Sequence, residues 1–133
     1  MILHADEYSL LETNQKHTLA RFSLNGATEK MKQESYRNAL MNSVKIVASN
    51  KPAGVLANLK DLVYTGADNF HLWVQKEVVG KLNNAGVQKL AIVRSNDEIT
   101  RAMLDNFSMR ANYYFMQTRF FDNETAANKW LSE

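Results

Sequence analysis

The sequence predicts a single α/β domain built on a mixed, mostly parallel five-stranded sheet, with elements in the order ββαβαβαβα. Three observations predict it. Short apolar runs alternate with longer amphipathic stretches, and strands separated by helices pair in parallel through right-handed crossovers. The 133 residues carry no linker, repeat or low-complexity segment, so residues 1–133 read as one domain able to bury about two-thirds of its unfolded surface. A hydrophobic content of 45% with 23% charged residues excludes disorder, collagen and coiled coil.

The chain opens with two β-like runs, residues 8–12 and 17–24. In the second, Leu19 and Arg21 face one side while Ala20, Phe22 and Leu24 face the other, the alternation of a half-buried strand. The short polar link Thr13-Asn14-Gln15-Lys16 makes the pair an antiparallel hairpin. The period then changes. Asn25-Gly26 breaks the strand, and Thr28 is a candidate helix N-cap with Glu29 in the first turn. Tyr36, Ala39, Leu40, Ser43, Ile46 and Val47 share one arc at 100° per residue, which predicts a surface helix over 28–49. Asn50-Lys51-Pro52 ends it, because proline cannot continue the ladder and disfavours helix just before it.

Residues 54–59 read as a short strand buried on both faces. A turn at 63–67 leads to a helix from about residue 68 to 84, with Gly86 where a helix C-terminus wants a left-handed residue. Residues 89–94 are the next buried strand. Ser95 and Glu98 stand at capping-box spacing, so a helix is expected to begin there and carry Ile99, Ala102, Met103 and Phe107. Residues 116–121 form the last strand. Asp122 or Asn123 then caps a short final helix that returns Ala126, Ala127, Trp130 and Leu131 to the core.

The inventory of possible catalysts is thin. Zero cysteines exclude a disulfide scaffold, thiolate-bound zinc, iron–sulfur clusters and thiol catalysis. His4, His17 and His71 are far apart and have no metal-ligand spacing; His71 shares an apolar arc with Val74, Val78 and Leu82 and reads as a core histidine. Only five glycines are present, with no nucleophile elbow, phosphate-binding loop or dinucleotide fingerprint among them. Neither enzyme activity, metal nor cofactor is expected. A net charge of +2 is too small for a nucleic-acid footprint. With no signal-like N-terminus and no apolar run of roughly 18–20 residues, a cytoplasmic protein is expected.

The informative stretch is Asn58-Leu59-Lys60-Asp61-Leu62-Val63-Tyr64-Thr65-Gly66. Asp61 lies at the carboxyl end of a strand, where α/β proteins place functional groups, although a plain turn carboxylate also fits. Thr65 suits an N-cap, a phosphorylation site or a hydroxyl that contacts an anion. On the helix beginning near residue 68, Phe70, Val74, Val78 and Leu82 follow one face. Trp73 lies on the polar side beside Lys76 and Gly80, the position of an interface anchor or of a ring tucked under a loop. Met103, Phe107, Met109, Tyr113, Tyr114 and Phe115 form a second aromatic and methionine-rich stretch, either core or pocket wall.

A buried strand ending in Asn58-Leu59-Lys60-Asp61-Leu62, then Leu90-Ala91-Ile92-Val93, then Thr118-Arg119-Phe120-Phe121-Asp122 and Ala126-Ala127-Asn128-Lys129-Trp130-Leu131 resembles the SpoIIAA-like proteins of the STAS superfamily, which includes anti-sigma factor antagonists. The resemblance implies one SpoIIAA-like domain acting as a non-catalytic regulatory protein-interaction module. Antagonists of that superfamily carry an Asp-Ser-Ser-Gly-like turn whose serine a partner kinase phosphorylates. The corresponding stretch here is Val63-Tyr64-Thr65-Gly66, where Thr65 is the remaining hydroxyl of that type. The implied switch or interaction surface is therefore Asp61, Tyr64, Thr65, Gly66 and Trp73. The family is also similar in fold to lipid-binding CRAL-TRIO domains, which implies an alternative: a small apolar ligand or a membrane surface, with Phe70, Val74, Met103, Phe107 and Tyr113 as pocket. The partners so implied are a protein, an apolar ligand or a second copy of the chain.

Overall fold

Six strands hydrogen-bond side by side in chain order: β1 (Ile2–Ala5), β2 (Ser9–Thr13), β3 (Leu19–Leu24), β4 (Gly54–Asn58), β5 (Lys89–Val93) and β6 (Gln117–Phe121). The computed structural model describes residues 1–14, 16, 18–25, 33–63, 75–102 and 116–133, with the backbone alone at Gln33, Tyr36 and Gln75. β1 pairs antiparallel with β2, and β2 with β3. The pairings β3–β4, β4–β5 and β5–β6 are parallel. The α/β class is as expected, but among the described residues the sheet has six strands where the periodicity predicts five, and two of their five pairings are antiparallel.

The added strand is β1. Asp6 makes the reversal that brings it back: its Oδ1 accepts the backbone N–H groups of Tyr8 and Ser9, both at 2.8 Å, and its Oδ2 accepts the Ser9 hydroxyl at 2.9 Å. A side chain that satisfies its own downstream backbone is a turn former. The β2–β3 hairpin closes similarly, with Asn14 Oδ1 accepting from the backbone of Thr18 at 2.9 Å and Leu19 at 3.2 Å. Its register sets Leu11 opposite Phe22 and Glu12 opposite Arg21.

Strand alternation splits the core into two layers. On one face Leu11, Phe22, Val55, Leu90 and Ile92 pack with Ala39 and Val47 of α1 (Gln33–Asn50) and Leu82 of α2 (Gly80–Asn84). On the other, Leu56, Ala91 and Val93 lie under Ala127, Trp130 and Leu131 of α3 (Glu124–Leu131). β5 is covered on both sides, as its unbroken apolar run implies. In α1 the expected arc is seen in buried Ala39, Ser43 and Val47; residues 28–32, with the proposed cap, lie outside the described residues.

Helix ends follow local chemistry. Lys51 follows α1 with φ 49°, its N–H on the Val47 carbonyl at 2.9 Å. Pro52 behind it disfavours the right-handed helical region for Lys51. The described part of the second predicted helix begins as a π-turn, Gln75–Val79, and continues as α2; residues 68–74 lie outside the described residues. Gly86 takes φ 92° as expected. Its N–H donates to Asn83 O at 3.1 Å and that of Val87 to Leu82 O at 3.2 Å, the paired bonds of a Schellman ending, with Val87 and Leu82 both buried.

α3 has eight residues, too few to persist without packing. Asn123, not Asp122, is its cap, accepting the Ala126 N–H at 2.8 Å. Trp130 anchors it: the ring lies 5.7 Å from that of Phe121, and Lys89 Nζ sits 5.2 Å from the indole centroid. The same ammonium donates to the Trp130 and Glu133 carbonyls at 3.1 and 3.0 Å, neutralising the negative end of the helix.

Candidate functional site at the carboxyl rim

In a parallel sheet the carboxyl ends of the strands open outward together, and here those of β4, β5 and β6 are tied into one rim. Leu59 N–H donates to Val93 O at 3.0 Å, Asn96 N–H to Lys60 O at 3.1 Å, and Arg94 N–H to Phe121 O at 2.9 Å. The centre of the rim is Ser95, fully buried. Its hydroxyl donates to Leu62 O at 2.6 Å and accepts the Asp97 N–H at 3.0 Å. One side chain thus joins the exit of β5 to the segment that follows β4.

The helix over 98–102 starts differently from the expected capping box. Its cap is Asp97: Oδ2 accepts the Thr100 N–H at 3.0 Å and the Thr100 hydroxyl at 2.7 Å. Those two bonds hold the Asp97 carboxyl below the usual carboxylate range. Ser95 is spent on the rim, so the nearest polar side chain at the helix start takes the cap. Ile99, expected on the apolar face of this helix, is 78% exposed.

Asp122 completes the arrangement. Arg101 Nη2 and Arg94 Nη2 each donate to its Oδ1 at 2.7 Å, and together they hold its carboxyl below the ordinary range. Behind it, at the first turn of α3, Glu124 is gripped by Arg21 through Nε and through Nη2 at 3.2 Å, and its Oε2 accepts Asn58 Nδ2 at 3.1 Å. Arg21 lowers the Glu124 carboxyl and is itself raised by it.

Of the candidate residues, Asp61 is described: it is exposed, in the turn that Leu62 N–H closes onto Leu59 O at 3.1 Å. It sits on the rim, apart from the Asp122 cluster in hydrogen bonding. Tyr64, Thr65, Gly66, Phe70, Trp73, Val74, Met103, Phe107 and Tyr113 lie outside the described residues, as do His17 and His71. Ser95, Arg94, Arg101 and Asp122 went unrecognised as rim residues. Part of the signal was available for two of them, since Arg94 ends one expected strand and Asp122 directly follows the last. Among the described residues no group of three His, Asp or Glu is placed to hold a metal, and no helix is long and apolar enough to cross a membrane. Comparison of the chain with protein-family models, curated proteins and solved structures finds no match.

Proposed function

We propose that the chain is a non-catalytic regulatory interaction domain of the SpoIIAA-like kind, whose partner is a protein that binds across the carboxyl rim. The observation that carries this reading is Ile99, a large apolar side chain left 78% exposed on the helix over 98–102 that follows the rim. An exposed apolar side chain on a helix whose start is fixed by the Asp97 cap suits protein recognition, because the partner gains apolar contact without ordering a loose surface. The bonding of Ser95, Asp97 and Asp122 supports the non-catalytic part: each is engaged in holding the rim rather than in orienting a nucleophile. The element order, on which the resemblance rests, also supports the reading. Asp61, exposed in the turn after β4, belongs to the proposed surface, and Tyr64, Thr65, Gly66 and Trp73 are assigned to it by the resemblance alone.

Native mass spectrometry of protein purified from its own host tests this. A stoichiometric protein complex is expected for the parent chain and lost in Ile99→Asp and Thr65→Glu, with melting temperatures unchanged. A phosphate at Thr65 would add about −1.5 to −2 charge to the surface the partner must desolvate, which Thr65→Glu mimics. A copurifying apolar small molecule, indifferent to Ile99→Asp, would replace the interaction reading with the ligand-binding one.

A further inference from the structure

Among the described residues β1 is an edge strand, paired with β2 alone. Its four residues include a bulge between Ile2 and His4, so the ladder that holds it is short and interrupted. What returns it to β2 is the reversal at Asp6, and four groups converge on that one carboxylate. Oδ1 accepts the N–H groups of Tyr8 and Ser9, while Oδ2 accepts the Ser9 hydroxyl and lies 3.2 Å from His4 Nε2. The Asp6 N–H donates in turn to Ser9 O at 3.0 Å.

An ionised carboxyl accepts at both oxygens, whereas a protonated one is a donor at one of them. A hydrogen on Oδ1 faces two backbone N–H groups, which cannot reverse their direction. On Oδ2 it suits the Ser9 hydroxyl, which can turn to accept it, but faces His4, whose protonated ring donates from both nitrogens. Burial alone would raise the Asp6 carboxyl; the bonds from Tyr8, Ser9 and His4 outweigh it and hold the group below the ordinary 3.8. The hold it provides is complete above that ordinary value and is lost as the pH falls through the depressed folded one. The titratable neighbours among the described residues are His4 on β1 and Glu7 and Tyr8 in the reversal. β2 presents Ser9, and the end of β3 presents Asn25, whose amide donates to Glu7 O at 2.8 Å.

We propose that Asp6 is an acid-sensitive latch on the edge of the sheet: protonation of its carboxyl detaches β1 while the other strands stay paired, leaving β2 as an edge with unpaired N–H and C=O groups. The β2–β3 pairing, which runs from Ser9 to Thr13, does not depend on the latch. The device is independent of the partner proposed for the rim.

The test is an NMR pH titration of the full chain that follows the Asp6 carboxyl carbon together with backbone amides of β1, β4 and β5. The amides of Leu3 and Ala5 are expected to move to unstructured shifts with the midpoint of the Asp6 carboxyl, while those of Val55 and Ile92 keep their native shifts. Asp6→Asn, neutral at every pH, should loosen β1 without acid: its Leu3 and Ala5 amides should exchange about tenfold faster than the parent's at neutral pH and show no acid midpoint. Native β1 shifts below the Asp6 midpoint, β1 and β4 amides that move together, or a parental acid response in Asp6→Asn would each overturn the assignment.

Discussion

At the scale of single residues, a polar group matters through what its loss would strand. Ser95→Ala leaves the Leu62 carbonyl and the Asp97 N–H, both bonded to the Ser95 hydroxyl, without that partner in a buried place. We expect a loss of about 1–3 kcal/mol in denaturant melts. Asp61→Ala, at an exposed turn, should stay within about 0.5 kcal/mol; equal effects would mean that Ser95 does not join the two strand exits. Glu124 belongs here too. Arg21 holds its carboxyl below the ordinary 4.5, so the folded state favours the ionised form. The stability this provides is complete above that ordinary value and is lost as the pH falls through the depressed folded one. Denaturant midpoints followed across roughly pH 6 to 3 should therefore fall less steeply for Glu124→Gln than for the parent, and parallel curves would refute the coupling.

At the scale of elements, α3 is where local signal and tertiary packing can be separated. Asn123→Ala removes one cap bond and should cost about 1 kcal/mol. Trp130→Ala removes the ring that meets Phe121, Lys89 and Arg119 and should cost about 3–5 kcal/mol. A tryptophan loss below that of the cap would show α3 to be peripheral. Trp130 was legible in advance and the cap to within one residue, Asp122 or Asn123, because a polar cap ahead of Ala126, Ala127, Trp130 and Leu131 is a local pattern. So were the ends at Pro52 and Gly86, where backbone restrictions act within a residue or two. β1 was not legible. Its four residues alternate weakly, with exposure at both ends, and they pair because β2 offers an open edge, which is a tertiary fact. The Asp97 cap was misassigned for a similar reason: Ser95 has the right spacing, but a carbonyl 33 positions away in sequence claims its hydroxyl.

For the molecule as a whole, the candidate site was legible as a location rather than as a set of contacts. Alternating strands and helices direct attention to the carboxyl ends of the strands, where Asp61 does lie. The convergence of Arg94, Arg101 and Asp122 there depends on lateral strand order, which spacing along the chain does not encode. That order also determines how stability is distributed. β4 and β5 contribute to both core layers, with Ala91 and Val93 at 0% exposure, so their amides should exchange only through global unfolding. β1 is an edge strand, bulged between Ile2 and His4 and with Ile2 63% exposed, so its amides should exchange through local opening. Trp130→Ala separates the two regimes. Amides of Ala91 and Ile92 should lose protection equal to the full loss measured in denaturant melts, because the second layer ends on their strand. Those of β1 should keep their parental exchange, because their opening precedes unfolding and leaves α3 in place. If β1 amides lost the same amount as Ala91, the sheet would open as one unit, and the edge pairing of β1 with β2 would be as stable as the centre it borders.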